Sequence, residues 1–390
     1  MSNMVNLSPK SLYVHIPFCD SKCFYCDFTS HVANDEAKVH YTDALLREFA
    51  ILLDEYYQIG DRPRLDTIFF GGGTPTVMPL LQWERIATYL RDHFTIDALT
   101  EWTVEANPGS VDERMLTELR NFGVNRLSFG AQTFNEKLLY AIGRMHRVRD
   151  IEKSVESAAR VGFTRVSLDL LFGLPDQSLV DVRESVRRAV ELGVRHVSVY
   201  GLKIEAGTPF AEWQQSGQLH LPEEDIEAEM YEEVRRILHE SGREQYEISN
   251  FAQPGEEARH NLVYWRNQPY LAAGAGAHGY VNGMRYENVK SLLQYQQHLQ
   301  KGERPIADTH FVSPREAMED SVILGLRLQT GLFKQDFLVA HGIRVEDAFG
   351  TVISPLVERG WLLEDEEQIR IPAKYFSVAS EIMMRFLGNS

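Results

Sequence analysis

The feature that most constrains this chain is an alternation of apolar strands and amphipathic helices that fills its first 200 residues or so. Leu12–Pro17 (LYVHIP), Leu65–Phe70 (LDTIFF), Trp102–Glu105, Arg126–Gly130, Arg165–Leu171 and His196–Tyr200 read as six strands. The stretches between them carry helical apolar spacing: Asp35–Gln58, Leu80–Asp92, Asp112–Phe122, Glu136–Ile142 with Asp150–Val161, and Ser178–Glu191. Parallel strands need a crossover between them, and the crossover is right-handed with its helix packed on the sheet. The pattern predicts an α/β fold, a partial (βα)6 TIM-like barrel with helices outside and reactive groups at the carboxyl ends of the strands.

Those strand ends hold residues suited to a ligand. Gly71-Gly72-Gly73-Thr74-Pro75 follows the second strand, where glycines let backbone amides approach a ligand without Cβ clashes. A tight turn would need the same residues. Glu105 closes the third strand, Gln132 follows the fourth, and Asp169 sits between Leu168 and Leu170 in the fifth. A buried carboxylate is expensive unless it is paired or ligand-bound, and several on one edge point to a cofactor site.

The first strand runs into Cys19, Cys23 and Cys26, the chain's three cysteines, spaced Cys-x3-Cys-x2-Cys. Three readings fit. A zinc site would need a fourth ligand, which His15 or His31 could supply. A redox disulfide would use two of the three thiols. A four-iron cluster normally takes four thiolates, and with three it keeps one iron open to a chelating small molecule.

Composition bounds the partners. The chain has 390 residues, 44% hydrophobic and 25% charged, as in an ordinary globular protein, and a net charge of −16 that disfavours nucleic acid. No apolar run reaches the ~18 residues that span a bilayer, and Met1–Lys10 lacks the zones of a signal peptide. With so few cysteines, a reducing, cytoplasmic location is expected, with no transmembrane segment and at most peripheral membrane contact.

Taken together, the cysteine triplet with Phe24-Tyr25 before its last member and the GGGTP loop resemble the radical S-adenosylmethionine superfamily. YVHIPFC, GGGTP, EANPG, SFGAQTF, GRMH and DLLFGLP, in that order, more narrowly resemble the oxygen-independent coproporphyrinogen III oxidase group. The oxidases carry a fourth cysteine two residues after the third, where this chain has Phe28, and His260-Asn261-Leu262-Val263-Tyr264-Trp265 resembles a motif of the haem-chaperone branch of the group. The resemblance implies a radical-SAM-type partial barrel with a [4Fe-4S] cluster on Cys19, Cys23 and Cys26. It implies S-adenosylmethionine held by Tyr13, Gly72, Gly73, Thr74, Glu105, Gln132, Arg144 and Asp169. It further implies haem as cargo, haem-accepting proteins (respiratory ones among them) and an electron donor as partners, and haem delivery ahead of porphyrinogen decarboxylation. His260 is the candidate haem ligand, with Tyr264 and Trp265 offering flat faces to a macrocycle; His278, in Gly274-Ala-Gly-Ala-His-Gly279, is a second.

Three parts are expected: a barrel with the cluster loop over 1–210, an extension carrying the His-Asn motif over 211–304, and a C-terminal module over 305–390. Pro222–Ser241 reads as an amphipathic helix with acidic residues toward its N-terminus, favourable with the helix dipole. Ser313–Leu328, Gln335–His341, Ala348–Arg359, Trp361–Glu364 and Gln368–Ile371 follow a winged-helix order. This last part has 8 basic and 13 acidic residues, which points to protein docking or covering the site, not DNA.

Overall fold

A computed structural model describes residues 8–58 and 60–388. The first seven residues, part of the segment read as lacking a signal peptide, lie outside the described residues.

Six strands and their helices alternate as the sequence pattern predicts: β1 (Ser11–Ile16), α1 (Asp35–Tyr56), β2 (Thr67–Gly72), α2 (Leu80–His93), β3 (Glu101–Ala106), α3 (Glu113–Phe122), β4 (Arg126–Gln132), α4 (Glu136–Ala141), α5 (Val148–Val161), β5 (Arg165–Phe172), α6 (Leu179–Glu191) and β6 (His196–Gly201). Each strand pairs in parallel with the next, from β1 to β6. Helix starts are written locally. Asn34 accepts from the Ala37 amide at 3.0 Å to open α1, and Ser178 and Asp181 form a reciprocal capping box at α6.

Strand alternation separates two chemistries. Leu12, Val14, Ile16, Ile68, Phe70, Trp102, Val104, Leu127, Phe129, Leu168, Leu170, Val197 and Val199 are buried under the helices. The intervening residues face the lumen and are largely polar: Tyr13, His15, Thr67, Glu101, Thr103, Glu105, Arg126, Ser128, Ser167, Asp169, His196 and Ser198. The apolar mass therefore sits between sheet and helices, which leaves the lumen free for polar groups.

The sheet is larger than the six strands legible in the sequence. After β6 come α7 (Pro209–Gln215), α8 (Glu224–Glu240), the hairpin β7 (Glu244–Glu247) and β8 (Asn250–Ala252), α9 (Arg259–Trp265) and β9 (Leu271–Ala273). The nine strands run β7-β8-β6-β5-β4-β3-β2-β1-β9, with β8 antiparallel to β6 and β9 parallel to β1. These three additions have four, three and three residues, too short to show a period. Next follow β10 (His278–Val281), β11 (Met284–Asn288), α10 (Leu292–Gln300) and β12 (Ile306–Phe311), whose strands form an antiparallel sheet.

The C-terminal module comprises α11 (Pro314–Leu326), β13 (Leu332–Phe333), α12 (Lys334–His341), α13 (Val345–Glu358), β14 (Leu363–Glu364), β15 (Gln368–Arg370) and α14 (Ala379–Met383). Its strands form a small antiparallel sheet in the order β13-β15-β14, the helix-strand-helix-helix-hairpin order of a winged helix. No described helix is long and apolar enough to cross a membrane.

Candidate active site

The cysteine loop leaves the carboxyl end of β1 through a closed neck. The His31 amide donates to Pro17 O at 2.8 Å, and the Cys19 amide donates to His31 O at 3.1 Å. Inside the neck, the Phe24 amide donates to Ile142 O at 3.2 Å, and the Phe24 ring meets Trp213 edge-on at 5.1 Å. Gly143 has φ +77, and a Cβ there would lie 3.1 Å from that ring, so a glycine is needed where the loop docks. Cys19, Cys23 and Cys26 are free thiols, each half-buried. Burial pushes the Cys23 and Cys26 thiols up; the Arg144 charge opposes this at Cys23, and the Phe28 amide, donating to the sulfur, opposes it at Cys26. Phe28 thus contributes backbone to this loop while its side chain is 59% exposed.

The glycine loop packs directly against the first strand and the neck. The Gly73 amide donates to Ile16 O at 2.8 Å, and the Thr74 amide to Phe18 O at 2.7 Å. A Cβ on Gly73 would lie 2.5 Å from Phe18 O, and one on Gly72 (φ +104) 2.4 Å from the His15 ring. Thr74 Oγ1 stands 3.6 Å from Cys19 Sγ and accepts from Asn107 Nδ2 at 2.8 Å. Asn107 Oδ1 accepts from Arg144 at 2.6 Å, and Arg144 also donates to the Tyr25 hydroxyl at 3.0 Å. One chain of polar contacts therefore links Cys19, Thr74, Asn107, Arg144 and Tyr25.

Around this chain lie the remaining expected residues. Glu105 accepts from the Gly72 amide at 3.2 Å. Burial, reinforced by the neighbouring Asp169 charge, pushes its carboxyl up to about 8. Asp169, also raised by burial, accepts from Ser128 Oγ at 3.1 Å. Gln132 is buried at φ +64, beside a bulge in the β4–β5 pairing, a backbone conformation that costs a non-glycine residue free energy. Tyr13 donates to His15 Nδ1 at 3.0 Å and stacks on Phe69 at 6.1 Å. The groups suit a zwitterionic nucleoside. Among the described residues, Arg144 Nε is buried without a partner, a free donor for a carboxylate, and Glu105 is a half-buried acceptor with no cation paired to it. Three thiols on one loop are soft donors of the kind that an iron-sulfur cluster takes.

The histidines are placed differently. His15 Nε2 donates to Thr29 O at 2.9 Å and Nδ1 accepts from Tyr13, so both nitrogens are engaged and neither is open to zinc. His31 is exposed on the neck. Among the described residues no three His, Cys, Asp or Glu side chains converge as a single-ion site, as four-ligand zinc would require. His260 is fully buried at the opposite, amino end of the strands. Its Nδ1 contacts Thr67 Oγ1 at 2.8 Å, its Nε2 contacts the Tyr264 hydroxyl at 2.8 Å, and its ring stacks on Phe69 at 5.2 Å. Burial pulls its pKa down to about 3. His278 is 62% exposed at its side chain, with Glu287 at 3.6 Å. The structure therefore gathers the three cysteines with Tyr13, Gly72, Gly73, Thr74, Glu105, Gln132, Arg144 and Asp169 at one end of the barrel, and sets His260 apart from them.

Two contributors escaped the sequence reading. Asn107 and the Tyr25 hydroxyl join Arg144 to the glycine loop, and both lie in stretches (EANPG and CFYC) whose polar members were the available signal.

The profile of the radical SAM superfamily matches residues 13–201, and that of the HemN C-terminal domain matches residues 312–374. A haem chaperone HemW from Bacillus subtilis is 40% identical over 97% of this chain and 100% of its own length, and one from Escherichia coli is 38% identical over 71% and 72%. Coproporphyrinogen III oxidase (HemN) from Escherichia coli, described as a radical SAM enzyme, superposes with a TM-score of 0.85 at 25% identity, covering 100% of this chain and 92% of that one. By likeness spanning nearly its whole length, this chain belongs to the HemW family of the radical SAM superfamily.

Proposed function

We propose that this chain is a haem chaperone that holds a [4Fe-4S] cluster and S-adenosylmethionine, and passes haem to acceptor proteins. The observation that carries the reading is the near full-length likeness to HemW proteins, in a chain whose cysteine loop has Phe28 where the oxidases have a further cysteine. Cys19, Cys23 and Cys26 would hold the cluster, which would supply a reducing electron and an iron for amino and carboxylate groups to chelate. The protein's own residues do the rest. Gly72, Gly73 and Thr74 line the methionine moiety, and Arg144 pairs with its carboxylate through a planar fork. Glu105, Gln132 and Asp169 take the amino group and nucleoside hydroxyls, and Tyr13 closes one wall and excludes water.

His260 is the proposed haem ligand. Because both its nitrogens are engaged and it has no exposed surface, ligation requires the Tyr264 or Thr67 contact to break. His278, already exposed, is the competing ligand. The chain acts in the cytoplasm, with contact to a membrane surface at most peripheral. Its partners are haem-accepting proteins, respiratory ones among them, and an electron donor.

Anaerobic reconstitution followed by haem titration of the wild type, His260→Ala and His278→Ala tests this. Loss of affinity in His260→Ala with iron and sulfide retained supports the assignment, and unchanged affinity in that variant refutes it. The likeness to HemN favours a second reading, oxygen-independent coproporphyrinogen III oxidase. Anaerobic turnover of the porphyrinogen with a reductant, followed by chromatography, separates the two, since the chaperone yields no decarboxylated product.

A further inference from the structure

Glu48, on α1, has no exposed surface and belongs to none of the cofactor contacts above. Three donors converge on its carboxylate: the Gly274 amide at 2.7 Å, the Tyr295 hydroxyl at 2.6 Å and Asn288 Nδ2 at 2.6 Å. The other hydrogen of Asn288 Nδ2 reaches Gly274 O at 2.9 Å. Only a carboxylate offers several acceptor sites and no donor, so a glutamine would set an N–H against an N–H, and an apolar residue would strand all three donors. Burial raises the Glu48 carboxyl, and these same hydrogen bonds pull it back toward the charged form.

The segment that Glu48 grips is pressed against the cysteine loop. Gly274 has φ +106, and a Cβ there would lie 2.3 Å from His15 O and 2.6 Å from the Tyr41 hydroxyl. Tyr41 itself donates to His15 O at 2.5 Å and stacks on Tyr295 with ring centroids 5.4 Å apart. Two residues further on, a Cβ on Gly276 would lie 2.8 Å from Thr29 Oγ1. His15 precedes the loop, Thr29 ends it, and the His15 Nε2 contact to Thr29 O ties the two together. The turn at 274–276 therefore touches both roots of the loop, and one buried carboxylate fastens that turn to α1.

We propose that Glu48 is a positioning residue for the cysteine loop: through the Gly274 amide it seats the 274–276 turn against His15 and Thr29, and so sets where Cys19, Cys23 and Cys26 are held. This rests on reading that loop as the cluster site, yet its first test needs no cluster. Hydrogen exchange of the cluster-free full-length chain, followed by mass spectrometry, compares residues 17–32 with strands β3 to β5. In Glu48→Gln, exchange over 17–32 accelerates about tenfold or more while the strands keep their wild-type rates. In Tyr295→Phe, which removes one of the three donors to Glu48, the same segment accelerates by a smaller factor. Should Glu48→Gln fail to fold, Tyr295→Phe carries the comparison alone. Unchanged exchange over 17–32, or equal acceleration throughout the barrel, overturns the proposal. After anaerobic reconstitution, the electron paramagnetic resonance signal of the reduced cluster broadens in Glu48→Gln, and an unaltered line shape with wild-type cluster content also counts against it. Altered loop exchange in a chain that takes up no iron or sulfide leaves the positioning role standing and removes the cluster reading.

Discussion

Glu105 shows how one lumen residue can report on the site. Its carboxyl is raised from 4.5 to about 8, chiefly by burial and then by Asp169. An acid with a folded-state pKa above its unfolded value binds a proton on folding. Its contribution to stability is therefore greatest below about 4.5 and falls as pH rises toward 8. In cluster-free protein, Glu105→Gln should gain in Tm relative to wild type between about pH 5.5 and 8, because it lacks the ionisation that weakens the parent. A Tm difference that stays constant across that range would show that Glu105 is ionised alike in the folded and unfolded states, so that its folded-state pKa is not raised. Arg144 offers a second test of the same contacts. A lysine cannot reach both Asn107 and Tyr25 with a planar fork, so Arg144→Lys should weaken S-adenosylmethionine binding by about tenfold or more, read by calorimetry on reconstituted protein. Equal affinity in the two proteins would remove Arg144 from the carboxylate site.

Helix α9 is where a motif and its environment part company. The His-Asn-x-x-Tyr-Trp pattern was legible, and its spacing is what brings His260 and Tyr264 together, since residues four apart share a helix face. The depth at which that face lies was not legible, because a histidine beside aromatics reads alike in a core and at a ligand site. The Glu101 carboxylate, itself buried at the start of β3, accepts from the His260 amide at 3.1 Å and holds α9 across the amino end of the barrel. If His260 ligates haem, the Tyr264 hydrogen bond competes with iron for Nε2. Tyr264→Phe should then raise haem affinity by about threefold to tenfold, the equivalent of one net hydrogen bond of roughly 1 kcal/mol. Lower affinity, measured by titration, would mean that the hydroxyl serves haem and does not oppose it. The barrel elements were legible for the opposite reason. Runs such as LDTIFF carry their burial in their own side chains, whereas β8 and β9, three residues each, acquire theirs only by pairing with β6 and β1. Glu48 was hidden in the same way: a charged residue within a helical pattern reads as solvent-facing until the donors brought from residues 274–295 reveal its other role.

At the scale of the whole molecule, the β7–β8 hairpin, α9 and the C-terminal module meet at one side chain. Arg327, just after α11, donates to the fully buried Glu247 of the β7–β8 hairpin at 3.0 Å, and its guanidinium lies 4.2 Å over the ring of Trp265, the last residue of α9. Asn267 adds a second tie to α11, donating to Ser321 at 3.2 Å. The C-terminal module is thus secured by a cation placed where the β7–β8 hairpin has a buried anion. Removing one partner of a buried pair leaves the other uncompensated, and typically costs about 3–5 kcal/mol. Arg327 is a quarter exposed, and Glu247 retains the Ser249 amide and Asn250 as donors, so the low end of that range applies. Arg327→Ala should therefore lower stability by roughly 3 kcal/mol, whereas Arg327→Leu, which restores apolar contact with Trp265 but no charge, should recover only part of the loss. Glu247→Gln combined with Arg327→Leu removes both charges and should recover most of it, because no bare carboxylate is then left in the core. Denaturant unfolding of the three variants decides the matter: if Arg327→Leu is already as stable as wild type, the junction is held by packing on Trp265, and the ion pair contributes nothing to keeping the module on the barrel.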